Sequence, residues 1–371
     1  PVRIWLLTLS TLVFAIVAVG GLTRLEEGGL SMVTWKLLGS LPPMNEQEWN
    51  AEFDRYKQYP EYQKKNLGMS LEEFKYIFWY EYLHRMLGRV IGVAFALPAV
   101  YFSAKGQISF RSRARAPNRV LGAGSTLLIG SLIGFQGLLG WYMVKSGLDT
   151  EHRLMKDYNH VPRVSQYRLA SHLLTAFAIY GFSVWALLEV MSPQRFQTLV
   201  PSDPAYMAQK LRSMARSSPW LTALVAITVA SGAFVAGMDA GLVYNEFPLM
   251  GGRWIPSDIA ALPTWWRNCF ENATTVQFQH RLLATLTSIA IGGLYTVNRF
   301  GHGGATWRSL PPRVRLALNA MMTVAAIQYT LGITTLLCYV RTSLASLHQM
   351  GSLTLFTTAV YYMHVMKRLR F

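Results

Sequence analysis

The sequence predicts an all-α membrane protein: eight transmembrane helices forming two pseudo-two-fold-related four-helix bundles, with both termini on the matrix or cytoplasmic side. Three observations carry this. Apolar runs long enough to cross a bilayer, roughly 20 residues each, recur at about 3–22, 76–103, 120–144, 168–189, 219–238, 276–298, 316–339 and 343–366. Lys and Arg gather in segments 104–119, 190–218, 299–315 and 367–371, with Arg3 at the start, opposed only by Asp203 and the bordering Glu189. The second half of the chain then repeats the plan of the first.

In a 371-residue chain that is 51% hydrophobic, runs without a polar face belong in lipid rather than in a soluble core. The net charge of +16 does not point to nucleic acid. Its basic segments are separated by pairs of apolar runs, which is the positive-inside pattern. Two cysteines, Cys269 and Cys338, make a disulfide framework unsuited to this chain; unlinked thiols are the simpler reading. No signal peptide is visible before the first run.

The first run ends in Gly20-Gly21-Leu22-Thr23-Arg24 and leads to a long outer loop reaching Lys75. Within that loop Trp49, Phe53 and Tyr56 stand at i, i+4, i+7, which predicts a helix lying on the membrane interface with its polar face outward. The second run opens with Glu81-Tyr82-Leu83-His84-Arg85, placing Glu81, His84, Arg85, Gly88 and Gly92 on one helix face. The third holds Gly134-Phe135-Gln136-Gly137-Leu138-Leu139-Gly140, and the fourth opens with Arg168-Leu169-Ala170-Ser171-His172. His152 and His160, in the polar stretch between them, read as loop histidines. Residues 1–191 are thus an N-terminal bundle, 192–218 an inner linker, and 219–371 a C-terminal bundle.

The repeat is residue by residue. Asp239-Ala240-Gly241-Leu242 echoes Glu27-Gly28-Gly29-Leu30, Gln277-Phe278-Gln279-His280-Arg281 echoes Glu81 to Arg85, Gln328 to Gly332 echoes Gln136 to Gly140, and His348 echoes His172. A lone histidine in a membrane helix is more often a hydrogen-bonded core residue than a ligand. Four in a two-fold pattern, each followed by small residues (Gly88, Ala176, Ala284 and Ser288, Ser352), instead predict two bis-histidine heme sites in helix bundles. Copper or zinc fits less well, because no Cys, Met or carboxylate completes a compact site in the second half. Arg85 and Arg281 are placed to pair with propionates; their simpler role is that of interfacial arginines.

Only Glu81 breaks the symmetry, since Gln277 in the matching place cannot titrate. A carboxyl near a macrocycle edge can accept or hand over protons, which makes the first half a substrate site and the second a permanent redox site. The simpler alternative is that Glu81 pairs with Arg85 or Lys75.

Over essentially its whole length the chain resembles the heme A synthase family of cytochrome oxidase assembly. The residues that carry the resemblance are Gly20 to Arg24, Gly28-Gly29-Leu30-Ser31, Glu81 to Arg85, Gln136 to Val144, and the four histidines. The resemblance implies oxidation of the C8 methyl of heme O to the formyl of heme A by successive hydroxylations. It further implies His280 and His348 as axial ligands of a heme b, His84 and His172 flanking substrate heme O, and Glu81 as the essential acid. The chain departs from some bacterial members in having no cysteine within 23–75, which excludes a thiol relay there. Its long first loop and Trp141-Tyr142-Met143-Val144 resemble the mitochondrial and related proteobacterial branch. That implies a mitochondrial inner membrane location, with a bacterial plasma membrane as the alternative. Expected partners are lipid, an external electron carrier (ferredoxin-type among the candidates), heme O synthase and oxidase assembly factors, with self-association left open. Two other classes compete: a non-enzymatic bis-histidine electron carrier, and a heme carrier or assembly chaperone.

Overall fold

The structure is a computed structural model, and it describes residues 1–109, 121–148, 164–192 and 204–369. His152, His160 and parts of the expected inner segments lie outside the described residues. The described chain is helical apart from a two-residue parallel pairing of β1 (Ile108–Ser109) with β2 (Leu121–Gly122). Its α-helices are α1 (Val2–Leu25), α2 (Glu46–Lys57), α3 (Pro60–Lys64), α4 (Leu71–Ala104), α5 (Ala123–Leu148), α6 (Gln166–Met191) and α7 (Pro204–Met238). They continue with α8 (Trp265–Glu271), α9 (Ala273–Phe300), α10 (Ala305–Ser309), α11 (Pro312–Leu337) and α12 (Thr342–Arg368).

Each apolar run falls on one long helix. Among the described residues six of these helices, α1, α4, α5, α6, α7 and α11, are long and apolar enough to cross a membrane. The other two, α9 and α12, span 28 and 27 residues but carry more polar side chains, Gln277, Gln279, His280 and Arg281 among them. Large apolar side chains stand outward along the long helices (Leu97, Val100, Leu138, Ile289 and Ile327 are each at least 60% exposed), as surfaces solvated by lipid do.

The chain divides into two compact units, Arg3–Ile179 and Tyr180–Phe371. The division falls inside α6 because its second half packs with later helices: Tyr180 and Thr357 share a 2.9 Å hydroxyl hydrogen bond, and Gly181 backs onto Phe356. Residues 204–218, expected as linker, are instead the opening turns of α7.

In the first unit the outer loop folds into a cap. Asn45 caps α2 by accepting from Glu48 N (2.9 Å), and Ser70 and Glu73 form a reciprocal capping box that starts α4. The α2 helix forms where Trp49, Phe53 and Tyr56 predict it, but these side chains are buried in protein rather than laid on lipid. They pack against Phe74, Ile77 and Phe78 of α4, with Phe53 and Tyr56 stacked on Phe74 at ring separations of 4.9 and 5.1 Å. The reason is that α4 begins five residues before its apolar run, which offers the loop an aromatic surface.

In the second unit the outer loop is organised by side-chain amides and Asp258. Asn268 bonds the Leu262 main chain on both sides (2.8 and 2.9 Å), and Tyr244 and Thr274 both donate to the Asp258 carboxylate. Cys269 is half-buried and Cys338 exposed, both as free thiols.

Candidate functional site

Within the first unit His84 of α4 and His172 of α6 face each other, with ring centroids 6.3 Å apart and planes crossed at 63°. Within the second, His280 of α9 and His348 of α12 do the same at 6.4 Å and 86°. Two metal–nitrogen bonds of about 2 Å, with each ring centre roughly 1 Å further on, put imidazoles trans on one metal about 6 Å apart. Both pairs have that separation. No group of three or more His, Cys, Asp or Glu gathers among the described residues, so a metal that brings its own equatorial ligands suits each pair better than a bare ion.

What positions the rings is glycine on the preceding long helix, once per histidine. A Cβ added at Gly20 would lie 2.7 Å from His84 Cε1, at Gly140 3.1 Å from His172, at Gly232 3.0 Å from His280, and at Gly332 2.8 Å from His348. Ordinary contacts are longer than this, so each ring lies flush on helix backbone. The Gln136 and Gln328 amides then tie the lower helices together, donating to the main-chain carbonyls of His172 (3.0 Å) and His348 (2.9 Å). Ala176, Ala284, Ser288 and Ser352 stand on the same helices further along.

Glu81 is buried one turn before His84. Its carboxylate accepts from Ser31 Oγ (2.8 Å), Met32 N (2.7 Å) and Arg85 (2.5 Å). Arg85 also donates to the carbonyls of Thr34 (2.7 Å) and Met32 (2.8 Å). The pairing weighed against the functional reading is thus present with Arg85, while Lys75 goes to Glu72. Arg281 takes the equivalent place, donating to Leu249 O (3.1 Å) and Tyr244 O (2.9 Å), with Gln277 donating to Tyr244 O (3.0 Å). Both arginines therefore fasten an outer loop to a histidine-bearing helix.

The turn that delivers these loop atoms is also repeated. Glu27 and Asp239 both adopt left-handed backbone (φ 58° and 53°) just past α1 and α7. Gly28 follows with room for no side chain, since a Cβ there would sit 2.7 Å from the Ile77 carbonyl of α4.

The family model described as cytochrome oxidase assembly protein, COX15-CtaA, matches residues 3–360. The chain belongs to this family. Its COX15-CtaA relatives include a protein of Nitrosospira multiformis named heme A synthase, 45% identical over 99% of this chain and 94% of the relative. The human protein named heme A synthase COX15 is 44% identical over 98% of this chain and 82% of its own length. A Schizosaccharomyces pombe protein named heme A synthase-mitochondrial ferredoxin fusion protein is 40% identical, covering 97% of this chain and 59% of the fusion.

For this COX15-CtaA chain, reading by residue type finds the four histidines and the acid; the structure brings the histidines together in pairs and sets Glu81 one turn before His84. It passes over what stands behind them. The ring-backing glycines lie in segments whose repetition is plain, yet their distance to histidine depends on tertiary packing. Ser31, which donates to Glu81, lies in a segment that carries the family resemblance, but Ser231, which contacts His280 Nδ1 at 2.8 Å, carries no sequence signal beyond position in the repeat.

Proposed function

We propose that this chain is a heme A synthase of the inner mitochondrial membrane, with all eight long helices spanning and both termini on the matrix side. The observation that carries it is the pair of histidine clasps, alike in ring separation, with a carboxylate one turn before the first clasp and an amide before the second. In this reading His280 and His348 hold heme b, which when bound supplies one-electron transfer. Gly232 and Gly332 seat the two rings against backbone.

The first unit takes heme O as substrate between His84 and His172. Its C8 methyl becomes a formyl through two hydroxylations and loss of water; with water as the oxygen source, each hydroxylation breaks one carbon–hydrogen bond, forms one carbon–oxygen bond, passes two electrons to the external carrier and releases two protons. The Glu81 oxygens are the acceptors for the released protons. Ser31 and Met32 N–H orient that carboxylate, and Arg85 balances its charge. Gln277 offers no such acceptor, so the second unit is confined to electron traffic. A ferredoxin-type protein suits the role of electron carrier, given that one relative is named as a fusion to mitochondrial ferredoxin.

The test is extraction of pigment from the purified protein followed by mass spectrometry. Heme b together with heme O, hydroxylated or formyl forms is expected; Glu81→Gln should keep heme b and yield no heme A. Two equivalents of heme b alone would favour an electron carrier, and one unaltered, readily released heme would favour a chaperone. Normal heme A output from Glu81→Gln would remove the acid from the mechanism.

A further inference from the structure

The two clasps differ behind their rings, and the difference follows the division of labour proposed above. In the second unit both histidines have a side-chain partner at Nδ1: Ser231 Oγ at 2.8 Å for His280, and the Gln328 amide at 3.1 Å for His348. In the first unit neither does: Nδ1 of His84 has only the Ile16 main chain beside it, and Nδ1 of His172 is buried without a hydrogen-bond partner.

The surroundings explain this. Superposing Gly20 on Gly232 and His84 on His280 in the repeat equates Ile16, Val19 and Ile91 with Thr228, Ser231 and Thr287. The second unit builds a hydroxyl chain where the first has only hydrocarbon: Thr228 Oγ1 meets Thr287 Oγ1 at 2.8 Å, and Ser231 Oγ donates to the Thr228 carbonyl at 2.7 Å. A hydroxyl has one proton to give. With that proton spent on Thr228 O, Ser231 accepts from His280 Nδ1–H, leaving Nε2 with its lone pair free to bind metal. Partners at the second ring nitrogen fix tautomer and ring orientation and raise ligand basicity. Gln328 Nε2 reaches both the carbonyl and the ring of His348, but an amide NH2 only donates and cannot take the Nδ1 proton, so the Ser231 hydroxyl is the side chain able to set a metal-binding tautomer; Gln136 reaches only the carbonyl of His172.

We propose that Ser231 is a positioning residue that makes the second site retain its heme, and that Ile16, Val19 and Ile91 leave the first site able to release its porphyrin. This rests on the assignment of a resident heme to the second unit and a substrate heme to the first. A site that must take up one heme and give up its oxidised form gains from weaker ligation; a resident cofactor gains from the opposite.

The experiment follows heme transfer from the purified protein to excess apomyoglobin, identifying the transferred heme by mass spectrometry. Ser231→Val, which copies the first unit, should release heme b about 10–100-fold faster and raise its midpoint potential. Ser231→Thr should restore both values. Val19→Ser, which copies the second unit, should slow release of heme O and its oxidised forms by a similar factor. Unchanged release in both Ser231→Val and Val19→Ser overturns the proposal; if Ser231→Val does not fold, the Val19→Ser rate decides alone. Failure of the underlying assignment looks different, since wild-type protein would then lack heme b or heme O-derived pigment at the outset.

Discussion

A carboxylate and an amide of nearly equal size ask opposite things of a loop. Glu81 needs donors and receives them from Ser31 and the Met32 N–H, whereas Gln277 turns its NH2 toward the Tyr244 carbonyl. The loops therefore present opposite ends of the peptide group at matching positions. Glycine is as decisive at this scale. Gly232→Ala would push a methyl to 3.0 Å from His280 Cε1, an overpacking that costs about 1–3 kcal/mol in a tight interior. The expected outcome is loss of second-site heme absorbance with the first-site pigment retained, and Gly20→Ala should give the reverse pattern; absorbance spectra with pigment extraction check both. That Glu81 and the histidines were legible in the sequence reflects their chemistry, because ionisable groups in apolar runs need a reason to be there. The roles of Gly20 and Ser231 behind the rings were not, because a glycine or serine in a membrane helix has many roles and only its neighbour selects one.

At the scale of the element, the outer cap contains its own buried acid. Glu61 of α3 is 5% exposed and accepts from the Tyr56 hydroxyl at 3.1 Å, while Asn66 donates to that hydroxyl at 2.7 Å. Burial, followed by the negative charge of Glu81, pushes the Glu61 carboxyl up to about 8; Tyr56 and Lys65 oppose the shift, and Glu27 adds to it. The folded cap thus binds a proton that the unfolded loop releases near the ordinary value of 4.5. Stability from this group is complete below that value and is lost as pH rises toward about 8. Melting temperature should therefore fall between these limits, and Glu61→Gln should narrow the fall; an equal fall in the variant would remove Glu61 as its source. The helix over Trp49 to Tyr56 was readable from spacing. Its burial against α4 was not, since an apolar stripe fits a lipid surface and a protein surface equally well. The starts of α4 and α7 were missed for a related reason: a run recognised by its apolarity ends where polar residues begin, although the helix continues.

For the whole molecule, the eight apolar runs and the eight long helices coincide because an apolar run that leaves water must satisfy its backbone internally and helix is the simplest way to do so. The polar faces of α9 and α12 lower their apolarity, and those faces carry His280 and His348. Length and apolarity alone therefore single out six of the eight as candidate spans among the described residues. If both termini lie on the matrix side, Cys338, exposed just past α11, opens to the opposite side. A membrane-impermeant maleimide applied to that side of sealed vesicles should label Cys338 in a Cys269→Ser background. Labelling only after permeabilisation would place α11 the other way round.

The crossing of the imidazole planes has a spectroscopic consequence. Planes near 90°, as for His280 and His348, leave the two π-symmetry d orbitals of a ferric ion almost equal in energy, while the 63° of His84 and His172 separates them further. Low-spin iron in the second clasp would then carry the greater magnetic anisotropy, so two centres built from identical ligand atoms would have different resonance signatures.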